Sequence, residues 1–464
     1  MKPILPLLLR RSLLASLLVP IISLSFSASA ADFMVDASQY SDPDNNIYST
    51  LEELVSSVAL VAGDTVILNN DDASLTTGLT VPVNFRSADP AALCAVDLSG
   101  LGKNPLYDLG AGEYTLEMDS VIWSKGAAGV IRTADDNVSL EITGEVQFLN
   151  NHVDNSNNSA YGGAIYMEGD HATLTLGNNV TFSGNYASSD SSSISTSSGG
   201  AIYMQGVNSF LTIRNGAIFT NNYSSTYGGA IYLQGITTDN SSRFLAFTHD
   251  VLFSGNMTGG TFTQHNDGSF SVVNGVANAI HVDGTNHLQL AAAQGKEVRF
   301  NDPITSAAYF SSTENVTLSL NQYTDDDGIS HTTDGTVIFS GELYQGDNAH
   351  LVASRYSDFK GQTTLYGGSL ILEHNVVFGN AGLRDDTSMT LEHGTLEITG
   401  GSVINAASFS ITNSDVVLRP GTSAFINAKN VDLSRGFVFD MQKQAQETAT
   451  QANTTGLSIS ASDS

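Results

Sequence analysis

The 464-residue chain carries 47 acidic against 18 basic side chains, a formal net charge of −29. This excludes the basic face that nucleic-acid phosphates require, and suits a soluble exported surface with, at most, weak affinity for divalent cations. Its single cysteine, Cys94, rules out an internal disulfide; it lies in the apolar run Ala91-Ala92-Leu93-Cys94-Ala95-Val96 and reads as a small buried hydrophobe. With 43 Gly and only 9 Pro, the composition points to β-structure with many tight turns.

Residues 1–31 open with Lys2, Arg10 and Arg11, run through an apolar stretch at 13–24, and reach Ala28-Ser29-Ala30-Ala31. That order predicts a secretory signal cleaved near Ala30 or Ala31, because a membrane-spanning helix needs about 20 unbroken apolar residues. Residues 32–127 are expected to hold an amino-terminal cap and the first coils of a stacked β-structure. Leu51-Glu52-Glu53-Leu54-Val55 predicts a short helix, and Gly63-Asp64-Thr65-Val66-Ile67-Leu68 a turn into the first strand. Residues 47–68 would then cover the open end of the stack.

Residues 128–304 contain an internal repeat. Gly162-Gly163-Ala164-Ile165, Gly199-Gly200-Ala201-Ile202 and Gly228-Gly229-Ala230-Ile231 are copies of one mark; a second has the form Phe-x-x-Asn, at Phe148/Asn151, Phe182/Asn185, Phe219/Asn222 and Phe253/Asn256. Between the two lies an alternating apolar pair, Leu140/Ile142, Leu174/Leu176, Leu211/Ile213 and Leu245/Phe247, whose first member precedes its Phe by eight residues each time. The distance back to the Ile is nine residues in the first three copies and fourteen in the last, which places an insertion around Ile236-Thr237-Thr238-Asp239-Asn240. Three short alternating segments per repeat, with a shortest Gly-Gly spacing of 29 residues, predict an all-β fold, a right-handed parallel β-helix with three short strands per coil. The Ile, Leu and Phe positions should point inward and form ladders about 4.8 Å apart.

Each glycine pair is expected to permit a corner, through positive φ or through close approach of the next coil. Each motif Asn is expected to satisfy turn backbone, to bond its counterpart one coil away and to tolerate the left-handed region. Tyr166, Tyr203 and Tyr232 fall on the opposite face from Ile and Met, as an outer aromatic strip that is either a ligand platform or a structural stack. Ala128-Gly129-Val130-Ile131 is a worn copy upstream, and Asn278-Ala279-Ile280 with Leu288 and Phe300 is one downstream. At Phe300-Asn301-Asp302-Pro303-Ile304, Pro stands in the place of Asn and the motif region ends. Residues 305–440, with Val337/Phe339, Leu370/Leu372, Leu396/Ile398, Phe409/Ile411 and Val416/Leu418, predict a continuing helix without the motifs; 441–464 is a polar tail.

The alternation of the two marks in a fixed register resembles the polymorphic outer-membrane protein repeat of chlamydial autotransporters. The motif-bearing likeness covers 128–304, and looser likeness extends to Phe300-Asn301-Asp302-Pro303-Ile304 and to the segment 361–370. The resemblance implies a passenger displayed at, or released from, the surface of a Gram-negative cell, acting as an adhesin, with the motifs tied to adhesion and to self-association. The partners it implies are a host-cell surface protein or glycan, or other passengers. Autotransporters end in a membrane β-barrel of alternating strands. This sequence shows none, so the tail is expected to be truncated before a translocator barrel, through which alone the chain would meet the outer membrane.

The alternative is a secreted β-helical carbohydrate-active enzyme, a lyase or hydrolase. Its candidate carboxylate pairs are Asp71-Asp72, Asp135-Asp136, Asp325-Asp326-Asp327 and Asp385-Asp386, each beside turn-forming residues and each reading as a solvated turn. Asp325-Asp326-Asp327-Gly328 lacks the alternate-residue spacing of a calcium loop. His281 and His287 lack the helical spacing of metalloprotease ligands. No catalytic residue, metal ligand or cofactor is therefore assigned, and the residues singled out are the structural repeat marks.

Overall fold

The computed structural model describes residues 30–69, 73–155, 159–189, 196–234, 241–284, 286–306, 316–341, 356–357, 361–379, 387–418, 423–441 and 456–461. Residues 1–29 of the candidate leader, Asp71-Asp72, the insertion at 236–240 and Asp385-Asp386 lie outside the described residues. The architecture is a parallel β-helix. One 29-stranded sheet runs the length of the molecule, flanked by a 7-stranded and a 5-stranded sheet.

A representative coil runs through Ile165–Met167, Thr173–Leu176 and Val180–Ser183. Alternation sends Ile165, Met167, Leu174, Leu176, Val180 and Phe182 inward, where each is fully buried. No coil can enclose these side chains alone, so its neighbours complete the core, each large apolar group contributing about 1.5–3 kcal/mol. The register is continuous: Ile131, Ile165, Ile202, Ile231 and Ile280 pair in turn. Phe148, Phe182, Phe219, Phe253 and Phe300 stack with centroids 4.7, 4.9, 4.6 and 4.8 Å apart. Trp123 takes the Phe position upstream of Phe148. The three expected strands are joined by a fourth, short one after each Phe-x-x-Asn, as at His152–Asn155 and Tyr186–Ser189.

The helix at the amino-terminal end spans Leu51–Ser57. The Thr50 side chain accepts the Glu53 backbone N–H, and the Glu53 carboxylate accepts the backbone N–H and hydroxyl of Ser49, a capping box displaced by one residue. Leu51 and Leu54 are fully buried over the first coil. Thr65–Leu68 is not the first strand of the stack, because Asp32–Val35 precedes it and pairs with it in parallel.

One sequence-based register needs correction. The inward positions after Ile231 are not Leu245/Phe247: Phe244 pairs with Ile213 and is fully buried, and Phe247 is only half-buried. The eight-residue spacing misleads here because the corner at Phe247–Asp250 is longer than in the coils before it. Beyond the motifs, Val337/Phe339, Leu370/Leu372, Leu396/Ile398 and Phe409/Ile411 are buried as expected. Within the polar tail, Gly456–Ala461 forms a strand that pairs in parallel with residues 423–428.

Among the described residues, two antiparallel hairpins project from the coils. One pairs Thr261–Gln264 with Phe270–Val273, the other Gln322–Thr324 with Ser330–Thr332. Neither is visible in the repeat, since each is an excursion between two strands of the stack.

Candidate functional site

The Phe-x-x-Asn marks build a buried amide ladder. Asn151, Asn185, Asn222 and Asn256 are fully buried. Each side-chain N–H donates to the Oδ1 of the Asn one coil on, at 3.2, 3.0 and 2.9 Å along the row. It also donates to the carbonyl of the aromatic residue one coil back: Trp123, Phe148, Phe182 and Phe219. Each Oδ1 accepts the backbone N–H of the previous Asn as well. The left-handed residue at this corner is not the motif Asn but the one before it, Asn150, Gly184, Asn221 or Gly255.

The ladder ends on a carboxylate. Asp302 Oδ2 accepts both the backbone and side-chain N–H of Asn256 at 2.8 Å, and Oδ1 accepts the Gly255 N–H at 3.0 Å. Burial outweighs these three donors and raises the Asp302 carboxyl to about 6. Asp302 therefore closes the Asn row; reading Pro303 into the Asn position missed this, because the turn here is one residue shorter. An acidic residue two places after a stacked Phe was the signal available.

The glycine pairs divide the two tasks expected of them. Gly162, Gly199 and Gly228 have φ of 61, 67 and 64°. The second glycines face backbone: a Cβ on Gly163 or Gly200 would lie 2.1 Å from the carbonyl oxygen of the equivalent glycine one coil on. Ala164, Ala201 and Ala230 are fully buried beside them. The Tyr166, Tyr203 and Tyr232 rings stack face to face at 5.4 and 5.0 Å, and Tyr232 continues onto His281 at 5.8 Å. Arg132 covers the free face of Tyr166 at 4.4 Å. The ring faces of this strip are thus used on one another, and the phenols bond Glu168, Gln205 and, for Tyr232, Gln234 and Asp283. Burial pushes all three phenols above their ordinary value and holds the His281 imidazole down at about 4.

The carboxylate pairs among the described residues are dispersed and already engaged. Asp135 accepts the Ala111 N–H, and Asp136 the Asp170 N–H one coil on. Asp325 accepts the N–H groups of Asp327 and Ile329 and pairs with His331, while Asp326 pairs with Arg243 at 2.7 Å. His287 lies between Ser241 and Ser319 at 2.8 Å from each, and His281 contacts Thr305. Among the described residues no three His, Cys, Asp or Glu side chains converge as a metal site.

Among the described residues, what the repeat leaves open to solvent includes turns and the two hairpins. The first hairpin is braced by Phe262 and Phe270 against Tyr186 and Tyr223, at 4.8–5.6 Å. Its tip roofs a cleft of about 480 Å³ lined by Asp97, Ser99, Lys125, Ala127, His152 and residues 264–268.

The Chlamydia polymorphic membrane protein repeat matches residues 179–205 and 216–234, each of which holds one Phe-x-x-Asn mark followed by one Gly-Gly-Ala-Ile corner. The chain carries this repeat. Three Chlamydia pneumoniae proteins are similar to it. Probable outer membrane protein pmp10 is 29% identical over 208 residues, 37% of this chain and 21% of that protein. Probable outer membrane protein pmp8 is 29% identical over 235 residues, 50% and 23% of the two chains, and pmp2 is 27% identical over 208 residues, 45% and 22%. The chain spans about a fifth of the length of the curated relatives it matches. These likenesses support a location at the cell surface or outer membrane. No solved structure matches the chain.

Proposed function

We propose that this chain acts as a surface-exposed, adhesin-like passenger, a non-catalytic scaffold that binds a host-cell surface protein or glycan, or other passengers. The observation that carries the reading is the burial of the repeat marks. Every motif Phe and Asn is 0–1% exposed, so the repeats serve to stack a rigid column rather than to touch a partner. Contact then falls to the side chains between the marks and to the two hairpins, which stand outside the column and can differ without disturbing it. The relatives, probable outer membrane proteins, support the same surface location.

The test is adhesion. Beads coated with the folded chain should bind cultured epithelial cells, and soluble folded chain should compete. Beads coated with heat-unfolded chain should not bind. Equal binding by folded and unfolded chain, or none by either, contradicts the proposal.

A further inference from the structure

We propose that the cleft beneath the tip of the hairpin formed by Thr261–Gln264 and Phe270–Val273 binds a neutral oligosaccharide, one sugar ring stacking on His152; this rests on the surface-binding reading above.

Three observations converge. The first is a gap in a row of rings. After each Phe-x-x-Asn comes an outward residue: His152, Tyr186, Tyr223 and Met257 in successive coils. His152 stacks on Tyr186 at 4.8 Å with planes 10° apart. In the preceding coil Gly126 occupies the ladder position, its N–H donating to Asn151 Oδ1 at 2.9 Å, and its carbonyl accepts the His152 N–H at 2.7 Å. Ala127 therefore stands where the next ring would be. The row ends at His152 with one coil height, about 4.8 Å, lined by a methyl group where a ring would fit. That is the thickness at which the C–H face of a sugar packs on an aromatic face.

The second is the roof. Gln264, His265, Asn266, Asp267 and Gly268 overhang the same cleft. The tip is seated on Lys125: a Cβ on Gly268 would lie 3.4 Å from Lys125 Cγ. With its base fixed by Phe262 and Phe270 on the Tyr186/Tyr223 row, the hairpin holds its polar groups in place before any ligand arrives, which lowers the ordering cost of binding. A volume of about 480 Å³ lies within the range of small-ligand clefts.

The third is charge. Lys125 Nζ is 2.8 Å from Asp97 Oδ2, and Asp267 Oδ1 accepts the Ser269 backbone N–H and hydroxyl at 3.0 and 2.6 Å. The ionised groups thus have partners within the protein. The cleft also offers amide, hydroxyl and imidazole groups, from Gln264, Asn266, Ser99 and His265, which pair with sugar hydroxyls. A chain of net charge −29 disfavours an anionic ligand.

The experiment probes the folded chain on an array of neutral oligosaccharides and their sialylated or sulfated counterparts, alongside the cell-binding assay. Ala127→Tyr supplies the missing ring from the chain itself. It is expected to preserve the melting transition and to lower neutral-glycan binding at least tenfold, with Gln264→Ala and Asn266→Ala, at the exposed tip, giving smaller losses. No glycan binding, binding confined to anionic glycans, or binding that survives Ala127→Tyr overturns the site. If cells are still bound in those cases, the surface-binding reading stands and only the cleft is wrong; if neither cells nor glycans are bound, that reading falls too.

Discussion

Asp302 ends the asparagine ladder by accepting both N–H groups of Asn256 on a single carboxylate oxygen, at 2.8 Å each. It is a buried acid doing an amide's work. Its carboxyl is raised from 3.8 to about 6, so between those values the folded chain holds a proton that the unfolded chain has released. The contribution of this site to stability is therefore complete below pH 3.8 and lost as pH rises through about 6. Asp302→Asn should keep the two Asn256 bonds on its amide oxygen, lose the acceptor of the Gly255 N–H, and abolish this dependence. Urea midpoints at pH 5 and 7.5 should show the variant gaining on the wild-type chain at the higher pH, by about 1.4 kcal/mol. An equal difference at both pH values would show that the carboxyl does not titrate in this window.

Removing an amide from the middle of the row strands several partners at once. In Asn222→Ala, the side-chain N–H of Asn185, the backbone N–H of Asn185 and the Phe182 carbonyl each lose a bond. An unsatisfied buried polar group costs about 1–3 kcal/mol, so a loss of about 3 kcal/mol or more is expected in urea unfolding. Substitution of Asn178, which is exposed and whose side chain accepts one N–H from Asn215, should cost far less.

The two kinds of glycine should respond differently to a methyl group. In Gly200→Ala the Cβ would lie 2.1 Å from the Gly229 oxygen and 2.4 Å from the Tyr223 oxygen, both backbone that cannot yield. Loss of more than about 4 kcal/mol, or failure to fold, is expected. Gly102 has φ of 61° and ψ of −120° with nothing within 4 Å of the added atom, so Gly102→Ala should cost only the backbone strain, about 1–3 kcal/mol. Circular dichroism melts of the two variants give the comparison.

The tyrosine row predicts that ring faces matter more than phenols. Tyr203→Phe keeps the stack between Tyr166 and Tyr232 and loses one bond to Gln205, a change of about 1 kcal/mol. Tyr203→Ala opens a hole between two buried rings and should cost about 3–5 kcal/mol. Similar losses in both variants would assign the row's stability to the phenol bonds instead.

Residues that repeat were the most legible in the sequence. The Ile, Leu and Phe ladders, the glycine corners and the Asn row follow from spacing, because identical residues in equivalent positions of a stack must meet. Where the spacing broke, legibility went with it. Phe244 rather than Leu245 takes the inward position because a longer corner shifts the face by one residue, and alternation alone cannot tell the two faces apart there. Asp302 and the hairpin at 261–273 occur once each, so no periodicity announces them. The cleft at Asp97, Lys125 and His152 draws on three coils and a hairpin more than 100 residues downstream, a proximity that only the fold creates.

The central claim is a folded column displayed on the cell surface with its repeat marks inside and its hairpins outside. Thiol labelling of intact cells producing the full chain tests it most directly. The native Cys94 is buried, with its sulfur 3.2 Å from the Ser87 hydroxyl, and should resist a membrane-impermeant maleimide until the protein is unfolded. Asn266→Cys places a thiol at the exposed hairpin tip. The account predicts rapid labelling of Asn266→Cys on intact cells and none of the wild-type chain; labelling of Asn266→Cys only after the cells are broken would contradict it.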